Sequence, residues 1–178
     1  LFEIEYEKLN CINCNSFNYK KLYKNDRYGV HQQTVMCKDC GLVYSNPRMS
    51  EKSLKYFYSS NLYRELYESG DNFEHNFKIR NEDIEKNLTT NKPNFNKYYP
   101  QLFIDFISSL NIDYKSVCEI GAGYGTNLIF FKNLGKEIYG LEPSVKLTKI
   151  ANDNKINIKQ GFVNDLKDSY DIIILKHV

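Results

Sequence analysis

Ser116-Val117-Cys118-Glu119-Ile120-Gly121-Ala122-Gly123-Tyr124-Gly125-Thr126 is the stretch whose reading decides the fold. A short apolar, β-prone run leads into three glycines on alternate positions. Asn127-Leu128-Ile129-Phe130-Phe131-Lys132-Asn133-Leu134-Gly135 then follows with helical character. Strand, glycine loop, helix is the order that brings backbone close to a nucleotide-like ligand at a helix N-terminus. Gly121 and Gly123 allow conformations and close approaches that a Cβ would block. The spacing is Gly-x-Gly-x-Gly, so Gly125 comes one residue too early for a dinucleotide pyrophosphate fingerprint. Glu119, two residues before the first glycine, would repel a pyrophosphate and suits a cationic group such as an ammonium. The stretch therefore reads as a cofactor pocket on an α/β sheet. A glycine-rich turn in some other α/β protein is the competing reading.

Downstream, Lys136-Glu137-Ile138-Tyr139-Gly140-Leu141-Glu142-Pro143-Ser144 reads as a second strand ending in an acid. Glu142 lies a little short of the roughly 20 residues past the glycines at which a ribose-binding carboxylate is expected. A carboxylate there can accept both hydrogen bonds of a vicinal diol. Ser144 is placed to cap a helix running through Val145, Leu147, Ile150 and Ala151. A third strand is expected over Ile156-Asn157-Ile158-Lys159, leading into Gln160-Gly161-Phe162-Val163-Asn164-Asp165-Leu166. Asp171-Ile172-Ile173-Ile174-Leu175 reads as a fourth strand, a buried run of the parallel-sheet kind. Upstream, Pro100 opens a helix on which Leu102, Phe103, Phe106, Ile107 and Leu110 recur at helical intervals, ended by Asn111 and Asp113.

The N-terminal third carries a different pattern. Of five cysteines, four form Cys11-Ile12-Asn13-Cys14 and Cys37-Lys38-Asp39-Cys40. Two such knuckles let four thiolates close a tetrahedron around Zn²⁺. Gly41 follows the second knuckle, and Asn15 takes the matching place after the first, where Asn tolerates a left-handed conformation. Tyr28-Gly29 reads as a turn and Thr34-Val35-Met36 as a strand of the ribbon's hairpin. Redox-active pairs, two disulfides and chance compete with zinc here. A redox dithiol calls for a strand-to-helix junction that neither pair has. Cys118, in the central strand, reads as a small buried hydrophobe.

Net charge is +2, so nothing points to a nucleic-acid groove or a membrane surface. No run approaches the length of a membrane span. The start, Leu1-Phe2-Glu3-Ile4-Glu5-Tyr6-Glu7, is acidic where a secretory signal would be basic, which makes a cytoplasmic protein the default expectation. Between about residue 50 and 97 the chain is rich in Asn, Lys, Glu and Tyr. Tyr56, Tyr58, Tyr63 and Tyr67 make an aromatic face over a cofactor or sugar ring, or else pack a helix edge with wet hydroxyls. Arg80 is either a partner for a ligand carboxylate or a solvated helix charge, and Thr89-Thr90-Asn91-Lys92-Pro93-Asn94 reads as a loop.

Glu119-Ile120-Gly121-Ala122-Gly123-Tyr124-Gly125 resembles the first motif of class I S-adenosylmethionine-dependent methyltransferases. The resemblance implies a partial Rossmann-like parallel sheet, with the loop wrapping the methionine end and Glu119 reading its amino group. Glu142, Pro143 and Ser144 resemble that family's second motif. The implied adenine contacts are Phe162 and Val163, with Asn164 or Asp165 reaching the exocyclic amine. Many relatives carry an acid where this chain has Phe162. Lys176 and His177 fall where the fourth strand meets the methyl donor. His177 is the one named catalytic candidate, its competing reading a cofactor contact without proton transfer. The implied cofactor-binding set is thus Glu119, Gly121, Ala122, Gly123, Tyr124, Gly125, Glu142, Pro143, Ser144, Phe162, Val163, Lys176 and His177.

Cys37-Lys38-Asp39-Cys40-Gly41-Leu42-Val43-Tyr44-Ser45-Asn46-Pro47-Arg48, followed by Tyr-rich chain and then the glycine motif, resembles zinc-ribbon methyltransferases found beside sugar and surface-polysaccharide biosynthesis enzymes. That implies a four-cysteine zinc ribbon over 1–50, a helical connector or lid over 51–112, and the N-terminal half of a cofactor-binding domain over 113–178. The implied acceptor is a sugar or nucleotide-sugar, and C-methylation of nucleotide-linked deoxysugars is the runner-up. Relatives continue past the fourth strand, so a fragment is expected, with an open strand edge that invites a homodimer. A zinc-ribbon binding module without catalysis and an NAD-type oxidoreductase are the alternatives from other classes.

Overall fold

Ser116–Ile120 forms an interior strand of a four-stranded parallel sheet. The computed structural model describes residues 3–26, 31–60, 62–67 and 106–176. It divides into two compact units, Leu1–Gly70 and Asp71–Val178.

In the N-terminal unit, β1 (Tyr6–Glu7) pairs antiparallel with β5 (Arg48–Met49). Strands β2 (Tyr19–Tyr23), β3 (Thr34–Cys37) and β4 (Val43–Ser45) form an antiparallel sheet in chain order. The expected strand over Thr34–Met36 is present, while the turn at Tyr28-Gly29 lies outside the described residues. Buried Asn46 ties this region to the start of the chain, its Oδ1 accepting from Leu9 N–H at 3.0 Å and its Nδ2 donating to Leu9 O at 2.9 Å. Satisfying both ends of a buried amide in this way avoids a desolvation cost of about 1–3 kcal/mol. Helix α1 (Glu51–Ser59) starts at Ser50, whose hydroxyl accepts from Ser53 N–H at 3.2 Å, and Glu51 in the first turn suits the helix dipole. Buried Phe57 packs α1 against α2 (Leu62–Tyr67). Residues 68–105 of the expected connector, with Arg80, the Thr89–Asn94 loop and the start of the helix at Pro100, lie outside the described residues.

In the C-terminal unit β6 is Ser116–Ile120, β7 Glu137–Glu142, β8 Ile158–Gln160 and β9 Ile172–Leu175. These parallel strands lie in the order β8-β7-β6-β9. Helix α3 (Thr126–Asn133) follows β6, and α4 (Val145–Asp153) follows β7. Alternation along β6 divides the core. Val117 joins Leu128, Ile129, Phe131, Leu147, Ile150 and Ile156 in one cluster, while Cys118 and Ile120 join Leu141, Tyr139 and Tyr170 in another. Cys118 is fully buried, as its reading as a core residue requires. Just upstream, residues 106–109 are helical and contribute buried Ile107, and Asn111 takes a left-handed conformation where that helix was expected to end.

Two strand readings change. The third strand begins at Ile158 and not Ile156, because Ile156 N–H donates to Ala151 O at 2.9 Å and closes the C-terminal turn of α4. The fourth strand is not buried throughout. Ile173 is 46% and Leu175 65% exposed on one face of β9, while Ile174 on the other face is buried.

Candidate functional site

The loop between β6 and α3 turns on three left-handed glycines, with φ of 69° at Gly121, 57° at Gly123 and 75° at Gly125. Their roles differ. A Cβ on Gly123 would meet nothing within 4 Å, whereas one on Gly125 would lie 2.6 Å from Ile156 Cγ2. Gly123 therefore faces open space, and Gly125 seats α3 against the end of the sheet. Ala122 and Tyr124 turn their side chains into the core, which leaves only their backbone to meet a ligand. The loop is anchored by Ala122 N–H donating to Leu141 O at 3.0 Å and Gly125 N–H to Ala122 O at 2.8 Å.

Two buried carboxylates flank this loop. Glu142, at the end of β7, accepts from Gly123 N–H at 2.8 Å through Oε2 and from Ser144 N–H at 2.9 Å through Oε1. Ser144 caps α4 as expected, and Gln160 Nε2 donates to Pro143 O at 3.3 Å. A carboxylate oxygen accepts more than one hydrogen bond, so these backbone contacts are compatible with a ligand hydroxyl at Glu142. Glu119 accepts from Asn127 Nδ2 through Oε1, while its Oε2 is buried with no hydrogen-bond partner among the described residues. Burial pushes the Glu119 carboxyl up to about 7, with Glu142 adding to the rise and Asn127 and Lys176 opposing it. With no donor among the described residues, that oxygen is open to one from a ligand or a water. Asn127, in the first turn of α3, is the site residue that the sequence reading missed. Its signal was an amide side chain two positions after the last glycine.

The remaining expected contacts are dispersed. Phe162 is half-buried and Val163 is 55% exposed. Phe162 N–H donates to Asp165 Oδ2 at 2.8 Å, capping a short 3-10 turn over Val163–Asp165. One oxygen of Asp165 is thus engaged in its own turn. Lys176 is exposed, and His177 lies outside the described residues.

In the N-terminal unit the Sγ atoms of Cys11, Cys14, Cys37 and Cys40 all lie within 4.8 Å of one another. Cys11 and Cys40 are 3.4 Å apart and Cys14 and Cys37 3.5 Å apart. Such separations suit four ligands at the roughly 2.3 Å zinc–sulfur distance. Asn15 and Gly41 are both left-handed, and their N–H groups donate to Cys11 O and Cys37 O at 2.7 and 3.0 Å. The knuckles are thereby shaped as the residues after each pair foretold. The four thiols fit a closed structural site with no position for a reacting group.

Residues 79–178, more than half of the chain, match the family described as methyltransferase domain. The comparison with curated proteins finds no match. Among solved structures, the chain is similar to the plantazolicin methyltransferase BpumL in complex with SAH, at 17% identity over 70% of this chain and 48% of that one, TM-score 0.42. It is also similar to the magnesium protoporphyrin IX methyltransferase of Synechocystis PCC 6803 with bound SAH, at 18% identity over 71% and 57%, TM-score 0.42. A third is a possible histamine N-methyltransferase from Thermotoga maritima, at 18% identity over 58% and 43%, TM-score 0.37. The chain spans about half the length of these proteins. With a parallel α/β sheet, a glycine loop between β6 and α3, and the match over its C-terminal half, the chain belongs to the methyltransferase-domain family.

Proposed function

We propose that the C-terminal unit binds S-adenosylmethionine and that the protein of which it is part transfers the donor's methyl group to a small acceptor. The observation that carries this reading is Glu119, buried, held through one oxygen by Asn127 and, among the described residues, without a partner on the other. A cationic amino group is the donor that such a carboxylate lacks. A pyrophosphate at the same loop would face Glu119 and Glu142 together, which disfavours a nicotinamide dinucleotide. Glu142 would meet the ribose hydroxyls, a reading supported by its buried carboxylate beside the loop, and the open space at Gly123 leaves room for the ligand's approach. When bound, the cofactor supplies an electrophilic methyl group; the chain's part is to orient it and to exclude water.

The finer acceptor reading is a sugar, or a nucleotide-linked deoxysugar methylated at carbon. It is supported by the ordered run of four-cysteine ribbon, Asn46-Pro47-Arg48 and a tyrosine-rich segment ahead of the glycine loop. Zinc bound by Cys11, Cys14, Cys37 and Cys40 would hold the ribbon. The single described neighbour of β9 supports self-association through its other edge. Calorimetry with S-adenosylhomocysteine and with NAD⁺ tests the cofactor: saturable binding of the first alone is expected, and binding of NAD⁺ alone would overturn the reading.

A further inference from the structure

The N-terminal unit contains a cavity of about 600 Å³ whose wall is largely aromatic. Tyr58, Tyr63 and Tyr67 form one side. Tyr58 and Tyr63 have ring centroids 5.1 Å apart at 39°, and Tyr63 and Tyr67 are stacked at 5.1 Å and 28°. Buried Phe57 meets all three edge-on, at 5.3, 5.8 and 6.2 Å, which fixes the wall before any ligand arrives. Gln32, Asp26, Arg48 and Glu51 add polar groups to the lining.

Two of the charges in this lining, Arg48 and Glu51, are ion-paired, and the third, Asp26, accepts from a neutral hydroxyl. Arg48 Nε donates to Glu7 Oε1 at 2.9 Å, and Lys55 Nζ pairs with Glu51 at 2.7 Å. The Tyr67 hydroxyl donates to the Asp26 carboxylate. A phosphate entering here would find one guanidinium already committed and two carboxylates opposing it. What the cavity offers is aromatic surface beside an amide, guanidinium N–H groups and carboxylate oxygens, each able to accept more than one hydrogen bond.

We propose that this cavity is a binding site for an uncharged sugar ring. The apolar face of a pyranose lies against the tyrosines, and its hydroxyls meet Gln32, Arg48 and Asp26. A convergence of few polar groups in a mostly apolar concavity is the usual make-up of a small-molecule site. A sugar held here shares its chemistry with the acceptor proposed above, but its binding needs no methyl donor and the cavity lies wholly within the N-terminal unit.

The test is calorimetry and saturation-transfer NMR on the full chain with methyl α-glucoside, N-acetylglucosamine and maltotriose, each titrated into the millimolar range, with uridine and uridine diphosphate alongside. At least one sugar binds saturably. Tyr58→Ala and Gln32→Ala each weaken it by about tenfold, the loss of one stacking or polar contact. Zinc content and circular dichroism of both variants confirm that the unit is folded. Tyr67→Phe, which keeps the ring, gives a milder loss than Tyr58→Ala. Saturable binding of none of the sugars, sugar binding that survives both alanine variants, or tighter binding of uridine or its diphosphate overturns the proposal. S-adenosylhomocysteine titrated into the same samples separates the two readings. Lost cofactor binding with retained sugar binding removes the methyl-transfer proposal and leaves this one standing.

Discussion

Glu142 Oε2 accepts the backbone N–H of Gly123 at 2.8 Å, so the end of the second sheet strand is tied to the middle of the loop that follows the first. The same carboxylate accepts Ser144 N–H at 2.9 Å and so also shapes the start of α4. Removing it with Glu142→Ala leaves two backbone donors short of a charged partner. The expected loss is about 2–4 kcal/mol of stability, read from the denaturation midpoint. Affinity for S-adenosylhomocysteine falls at the same time.

The glycines give a contrast that depends on geometry alone. Gly125→Ala forces a Cβ to within 2.6 Å of Ile156 Cγ2 at a φ of 75°. It should cost roughly 2–4 kcal/mol, strain and overpacking together. Gly123→Ala meets nothing within 4 Å and carries the left-handed cost alone, about 1–2 kcal/mol. Thermal melts of the two variants rank them, and equal destabilisation would contradict the packing assigned to Gly125.

Glu119 makes stability depend on pH in the direction opposite to a salt-bridged acid. Its carboxyl is raised from 4.5 to about 7 by burial. Between those values the unfolded chain has Glu119 ionised while the folded chain keeps it protonated, so the folded state holds the extra proton. Its contribution is fully present below about 4.5, declines as pH rises toward 7, and is flat above. The difference in melting temperature between wild type and Glu119→Gln isolates this trend. Ligand affinity runs the other way: an ammonium group prefers the carboxylate, so binding of S-adenosylhomocysteine strengthens as pH climbs through about 7.

The four clustered thiols predict a metal-dependent N-terminal unit. Cys11→Ser or a strong chelator should remove zinc and unfold that unit, seen as lost hydrogen-exchange protection across Thr34–Ser45. Cofactor affinity of the C-terminal unit should change by less than about threefold, as a closed structural site implies. A full complement of zinc in Cys11→Ser would contradict the four-thiolate assignment.

The framework was legible because it rests on local rules. Three alternate glycines after an apolar run, an acid at the end of the next strand and Ser144 before a helix each act over a few residues. The knuckles were legible for the same reason, with Asn15 and Gly41 in left-handed turns. What escaped the sequence depends on contacts that only the folded chain makes. Ile156 belongs to the turn off α4 and not to β8, a choice made by Ala151 O. Exposure of Ile173 and Leu175 beside buried Ile174 shows that one face of β9 is covered and the other is not, which an isoleucine run cannot disclose. Asn127 was overlooked because its role appears only once Glu119 is buried beside it.

Whether Glu119 holds the amino-acid end of the cofactor is decided most directly by one pair of titrations. S-adenosylhomocysteine and 5′-methylthioadenosine, which lacks the amino acid, are titrated calorimetrically into wild type and Glu119→Gln at pH 8. The variant should weaken S-adenosylhomocysteine by about 10–100-fold, the loss of a charged hydrogen bond, and leave methylthioadenosine unchanged. Equal weakening of both ligands, or of neither, would contradict that role for Glu119.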